Sequence, residues 1–186
     1  MGYLFSMNTP NGYAEIIALF GKPSNPDGSL NLAWQHANIV TVAPPPGWQL
    51  FYQSSPTSLT PIKALSMHHL LTDTFHTVLN QVWTFAANAI GGSPTDDAVR
   101  AWLHNLRLDI TAGCFNYRPS SGDPTKLSLH SFGIAIDWDP LHNPHQRPLT
   151  KTLPDWWYAI WANNGWSDGR HFVTPDPMHV QFATGA

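Results

Sequence analysis

Ser128-Leu129-His130-Ser131-Phe132-Gly133-Ile134-Ala135-Ile136-Asp137 is the stretch around which the rest of the chain can be organised. Its second half, Phe132 to Asp137, is apolar and β-branched and reads as a strand, with His130 in the loop before it and Asp137 at its far end. The two polar ends meet on one ion only if the chain bends between them, and Gly133 permits that bend. Near the C-terminus, Asp176-Pro177-Met178-His179 places a second imidazole at the start of a last strand running from Met178 to Phe182. If that strand pairs beside the first, His179 joins His130 and Asp137. Asp176 is then left on the preceding turn, stiffened by Pro177.

Two imidazoles and one carboxylate suit a catalytic zinc ion, which takes three protein ligands and keeps its fourth position for water. Zinc lowers the pKa of that water from about 16 to about 7 and polarises a carbonyl under attack. Asp176 is the candidate general base, and Arg118, ending the strand before the His130 loop, is the candidate partner of an oxyanion or a substrate carboxylate. Composition narrows the rivals. Cys114 is the only cysteine, so an internal disulfide and a multi-cysteine zinc finger are excluded. Of 12 acidic residues only Glu15 is a glutamate, and no histidine pair flanks it, which excludes an H-E-x-x-H protease and makes any carboxylate base an aspartate. A two-His, one-carboxylate iron site usually has an H-x-D spacing, which His130 and Asp137 lack.

Other candidates have plainer readings. His142 and His145 sit in a Pro-rich loop, and His68-His69 are adjacent residues that cannot readily face one ion. Ser128 has no G-x-S-x-G elbow and is better placed to support the metal histidine than to act as a nucleophile. Asp139 before Pro140 reads as a turn former in preference to a further ligand. Trp156, Trp157 and Trp161 lie at the spacing of a core helix.

Outward from the motif, the 186 residues fit a single domain, 1–186, with 1–60 a loop-rich N-terminal extension bearing one short helix and the catalytic motifs in 109–183. Thr9-Pro10 reads as the start of that helix and Gly21 as its end, and residues 22–37 read as loop. Ile39 to Val42 and Gln49 to Tyr52 read as strands. After Thr60-Pro61, apolar residues from Ile62 and Leu65 through Trp83 recur at helical spacing. Ser93-Pro94 opens a helix to about Leu103, Ile110 to Phe115 is a strand, and Pro154 starts a helix that ends at Gly165. The sum is an α+β class with a small, mostly antiparallel sheet packed with helices.

A net charge of −3 with 11% charged residues gives no broad basic surface, so nucleic acid is not an expected partner. No window offers about 18 consecutive apolar residues, so no membrane span is expected, and the chain is expected to be a monomer. Met1 to Ser6 lacks the charged and apolar regions of a secretory signal, which implies synthesis in the cytoplasm. The match of Gly2 and Ser6 to a myristoylation pattern is put down to chance.

The pattern S-x-H-x-x-G-x-A-x-D over Ser128 to Asp137, followed by D-x-x-H over Asp176 to His179 and preceded by Arg118, resembles the D-alanyl-D-alanine carboxypeptidase and L-alanyl-D-glutamate endopeptidase family of zinc peptidases. Asp137-Trp138-Asp139-Pro140-Leu141-His142-Asn143-Pro144 resembles the stretch that follows the aspartate ligand in its phage-lysin and spore-type branch. The resemblance implies a hedgehog-type fold, one Zn2+ on His130, Asp137 and His179, catalytic Asp176 and Arg118, and peptidoglycan stem peptides as substrate. An L-alanyl-D-glutamate endopeptidase is the favoured activity. A D-alanyl-D-alanine carboxypeptidase and a non-catalytic zinc-bearing binding domain are the alternatives. Action on the wall would then follow release by a holin or with a virion. Two departures stand out: the family commonly has glutamate where this chain has Gln181, and a W-G-G-x-W segment where it has Trp166-Ser167-Asp168-Gly169-Arg170.

Overall fold

The computed structural model describes residues 7–185; the readings made on Met1 to Ser6 lie outside them. Among the described residues, five α-helices and eight strands follow one another: α1 Tyr13–Phe20, α2 Leu32–Asn38, β1 Ile39–Val42, β2 Leu50–Ser55, β3 Ser58–Ile62, β4 Leu65–His68, α3 Thr72–Ile90, α4 Asp96–Asn105, β5 Ile110–Gly113, β6 Ala135–Trp138, α5 Asp155–Asn163, β7 Ser167–Gly169 and β8 Asp176–Gln181. Six strands form one sheet in the order β3-β2-β5-β6-β8-β7, antiparallel except for β2 beside β5, and β1 with β4 forms a second. The α+β class with a mostly antiparallel sheet is borne out. No helix of the described residues is long and apolar enough to cross a membrane.

The helices pack through stripes that the sequence spaces at three and four residues. In α3, Phe75, Val78, Leu79, Val82 and Ala86 are buried. Burial of each large side chain contributes roughly 1.5–3 kcal/mol before chain entropy is counted. Trp138 on β6 meets Trp157 and Trp161 of α5, with ring centroids 6.0 and 5.8 Å away, so the strand that ends beside Asp137 is clamped from behind by two indoles. These tryptophans pack as expected; Trp156 instead stacks on Phe85 at 4.0 Å.

Several elements differ from their sequence reading, each for a local reason. The first helix begins at Tyr13 rather than Thr9: the Thr9 hydroxyl donates to Gly165 O and Asn11 bridges to Thr184, so both are committed to the C-terminal segment. Residues 22–37 are not all loop, because Asn31 caps α2 by accepting from Trp34 N. Ile62 and Leu65 do not open the long helix. Ile62 ends β3, Leu65 and Met67 alternate inward on β4 against β1, and the helix starts only at Thr72. A short apolar run fits both periods, and here pairing with β1 decides it. Pro61 is tolerated in β3 because that strand is an edge. The expected strand Phe132 to Asp137 is shortened, since Leu129–Phe132 form a 3-10 turn. Gly133 then makes the anticipated bend at φ 68°, and a Cβ there would stand 2.8 Å from both His68 N and the Ile39 side chain.

His68, which bonds Gly133 O through its backbone N–H, is buried at the joint between the two sheets. Burial, reinforced by the charge of His69, pushes its imidazole down from 6.5 to about 4. The unfolded chain therefore takes up a proton that the folded chain refuses. This contribution to stability is full above pH 6.5 and is lost as the pH falls toward 4, to the extent of about 3 kcal/mol. An NMR titration of the metal-free protein is expected to leave the His68 ring neutral at pH 5.5; a midpoint near 6.5 would contradict this environment.

Candidate metal centre

The sheet register brings the separated motifs together. Asp137, third of four residues in β6, lies opposite His179 in β8, and the 3-10 turn before Gly133 lifts His130 back over the end of the strand. His130, Asp137 and His179 present ligand atoms that all lie within 4.8 Å of one another. His130 Nε2 is 3.2 Å from Asp137 Oδ2, and His179 Nδ1 is 2.9 Å from Asp137 Oδ1.

The outer partners fix which nitrogens face inward. His130 Nδ1 is 2.7 Å from Cys114 O, a carbonyl that can only accept, so Nδ1 carries the proton and Nε2 offers a lone pair. The Gln181 amide donates through Nε2 to Ala183 O, which turns its Oε1 toward His179 Nε2 at 3.0 Å. His179 therefore donates outward through Nε2 and offers Nδ1 inward. Gln181 thus supplies an uncharged acceptor beside this ring.

Two imidazole lone pairs and a carboxylate converging on one point need a positive charge between them. Ligands on a tetrahedral zinc at about 2.0–2.1 Å stand roughly 3.3 Å apart, and His130 Nε2 lies 3.2 Å from one Asp137 oxygen and His179 Nδ1 2.9 Å from the other, close to that spacing. His130 Nε2 is buried with no hydrogen-bond partner. The donor set and its spacing fit a single metal ion. Burial pushes the Asp137 carboxyl up, but the adjacent His130 and His179 imidazoles outweigh that and hold it well below the usual carboxylate range. Burial pushes His179 down, and Asp137 and Asp176 more than compensate, leaving it above its ordinary value.

Asp176 is the first residue of β8 rather than part of a turn before it. Burial raises its carboxyl pKa; the charges of His179, His145 and His130 act in the opposite direction, and that of Asp137 adds to the rise. Its Oδ1 is buried without a hydrogen-bond partner. Arg118 lies beyond β5, in the connecting loop rather than at a strand end. Its backbone N–H donates to Ser131 Oγ at 2.8 Å and its carbonyl accepts from Ser128 N and Ser131 Oγ, so this loop is stitched to the turn that carries His130. Among the described residues the arginines in ion pairs are Arg100, Arg107 and Arg170, and Arg118 is not one of them.

The remaining candidates fall outside the cluster. Asp139, at φ 43°, makes the turn expected of it and is also fully buried, accepting from Arg107 Nε at 2.8 Å and Asn143 Nδ2 at 3.3 Å, with His142 Nδ1 3.0 Å away. Ser128 Oγ accepts from His130 N and supports the turn through its backbone. The sequence reading missed the Cys114 carbonyl and the acceptor role of Gln181. Backbone acceptors leave no trace in residue identity, but the offset of two from His179 along a strand puts Gln181 on the same face.

Residues 121–182 match the family model described as D-alanyl-D-alanine carboxypeptidase. No curated protein and no solved structure matches the chain. The matched segment contains His130, Asp137, Asp176 and His179, and the resemblance read from the motif is thereby borne out. The family match supports a peptidase, a hydrolase. The matching family is that of zinc-dependent D-alanyl-D-alanine carboxypeptidases, and dependence on zinc is a trait of that family.

Proposed function

We propose that the chain hydrolyses peptidoglycan stem peptides, with one zinc ion held by His130, Asp137 and His179, and that residues 1–186 act as one unit. The observation that carries this reading is the convergence of two imidazole lone pairs on the Asp137 carboxylate, with the unpartnered Asp176 carboxyl in the same charge cluster. A zinc ion supplies Lewis acidity toward a peptide carbonyl and acidifies a water at neutral pH. The protein's own groups do the rest. Asp176 takes the water proton on its carboxylate and delivers it to the leaving amine. Cys114 O and Gln181 Oε1 hold the two rings in their ligand tautomers. The Arg118 guanidinium meets the developing oxyanion or a carboxylate of the stem peptide.

The bond favoured is L-alanyl-D-glutamate, in keeping with the endolysin-like stretch Asp137 to Pro144. The description of the matching family favours a second reading, removal of a terminal D-alanine. Digestion of purified wall by metal-free and zinc-restored protein, followed by mass spectrometry, separates them. New peptides beginning with glutamate are expected from the zinc-restored protein alone. Free D-alanine without such peptides would transfer the assignment to the carboxypeptidase. A protein that retains zinc and releases neither would be a binding domain.

A further inference from the structure

Asp176 and His179 lie three residues apart on β8, and in a regular strand such residues face opposite sides of the sheet. The pairing with β7 shows how this one departs from regularity. Asp168 pairs with Val180, but the next residue, Gly169, pairs with Asp176, so one step along β7 spans Pro177, Met178 and His179 on β8. The extra residues form a bulge, a feature that re-aims side chains. It brings the Asp176 carboxyl within the charge environment of His179, Asp137 and His130.

The bulge is held from two sides. Tyr158, on the buried face of α5, donates from Oη to Pro177 O at 2.7 Å, and the residue is 1% exposed. The Arg170 guanidinium lies 3.8 Å over that ring and is itself fixed by Asp168 and Asp155. Burial pushes the Tyr158 phenol well above its usual pKa, so it remains a donor at any working pH. On the other side, Gly169 backs directly onto Asp176: a Cβ there would stand 2.4 Å from Asp176 O and 2.9 Å from Asp176 Cβ.

We propose that Tyr158 is a positioning residue for hydrolysis, its buried hydroxyl holding the Pro177 carbonyl so that the bulge turns Asp176 toward the cluster of His130, Asp137 and His179. The proposal rests on Asp176 being the base. Tyr158→Phe removes one hydroxyl and keeps the ring that packs in the core. With purified wall as substrate and released amino groups as readout, kcat is expected to fall about tenfold, the scale of one lost hydrogen bond at the reacting geometry. KM, melting temperature and zinc affinity, measured by competition with a chromophoric chelator, are expected to stay within about twofold or a few degrees of the parent. In an Asp176→Ala background the same change is expected to cost nothing further, because the hydroxyl acts through that carboxylate. Gly169→Ala is expected to lower kcat from the opposite side. A parent-like kcat for Tyr158→Phe beside an inactive Asp176→Ala overturns the tyrosine's role and leaves the base in place. A parent-like Asp176→Ala overturns both. A further tenfold loss in the Asp176→Ala background, or a parallel loss of zinc affinity, also overturns the proposal, since either reports a general structural role.

Discussion

Asp176→Ala is expected to lower kcat by about 10²–10⁴-fold while leaving zinc bound and the fold intact, the range that a positioned general base contributes. Truncation here should be structurally mild because Oδ1 has no hydrogen-bond partner to abandon and burial already opposes the charged form. If the carboxyl acts on a bound substrate as proposed, its replacement should separate activity from stability. Steady-state turnover of purified wall, with zinc content measured on the same sample, checks this. A mutant that turns over at the parental rate would remove Asp176 from the mechanism while leaving the metal ligands untouched.

Loss of the metal is expected to have the larger effect. Stripping the protein with a chelator should abolish hydrolysis, and addition of one equivalent of zinc should restore it. Asp137→Ala should weaken zinc retention by more than the about 10–100-fold lost when an outer-shell partner is changed, since it removes a direct ligand that both histidines address. The stripped protein should also melt at a lower temperature, because an ion that binds only the folded state stabilises it by mass action. Titration calorimetry and thermal melts of the two proteins read this directly. Unchanged turnover after complete stripping would dismiss a metal-dependent reaction.

The site was more legible in the sequence than the fold around it. His130, Asp137 and His179, which the fold brings together, could be picked out because the chemistry restricts residue type and because a chain with one cysteine and one glutamate offers few other ways to assemble a group able to hold a metal. The bend at Gly133 was legible for a similar reason: only glycine takes φ 68° without strain in a place where a Cβ would strike His68 N. What was not legible depends on partners distant in sequence. Leu65 and Met67 read equally well as helix or strand until β1 is placed beside them. Thr9 looks like a helix cap until Gly165 O claims its hydroxyl. Asp176 looked like a turn residue because the bulge that makes it part of β8 is set by Gly169, which no local pattern links to it.

The recognisable motif occupies residues 121–182, yet the N-terminal third is sewn into it. Asn11 bridges to Thr184, Thr9 bonds Gly165 O, and the Tyr13 hydroxyl accepts from Leu127 N while its ring meets Phe132 edge-on at 5.8 Å. A fragment trimmed to the motif would lose the stitches on both flanks of the cluster at once. Its inactivity would report a torn seam rather than a missing chemical group, so dissection of this protein has to proceed by point substitution.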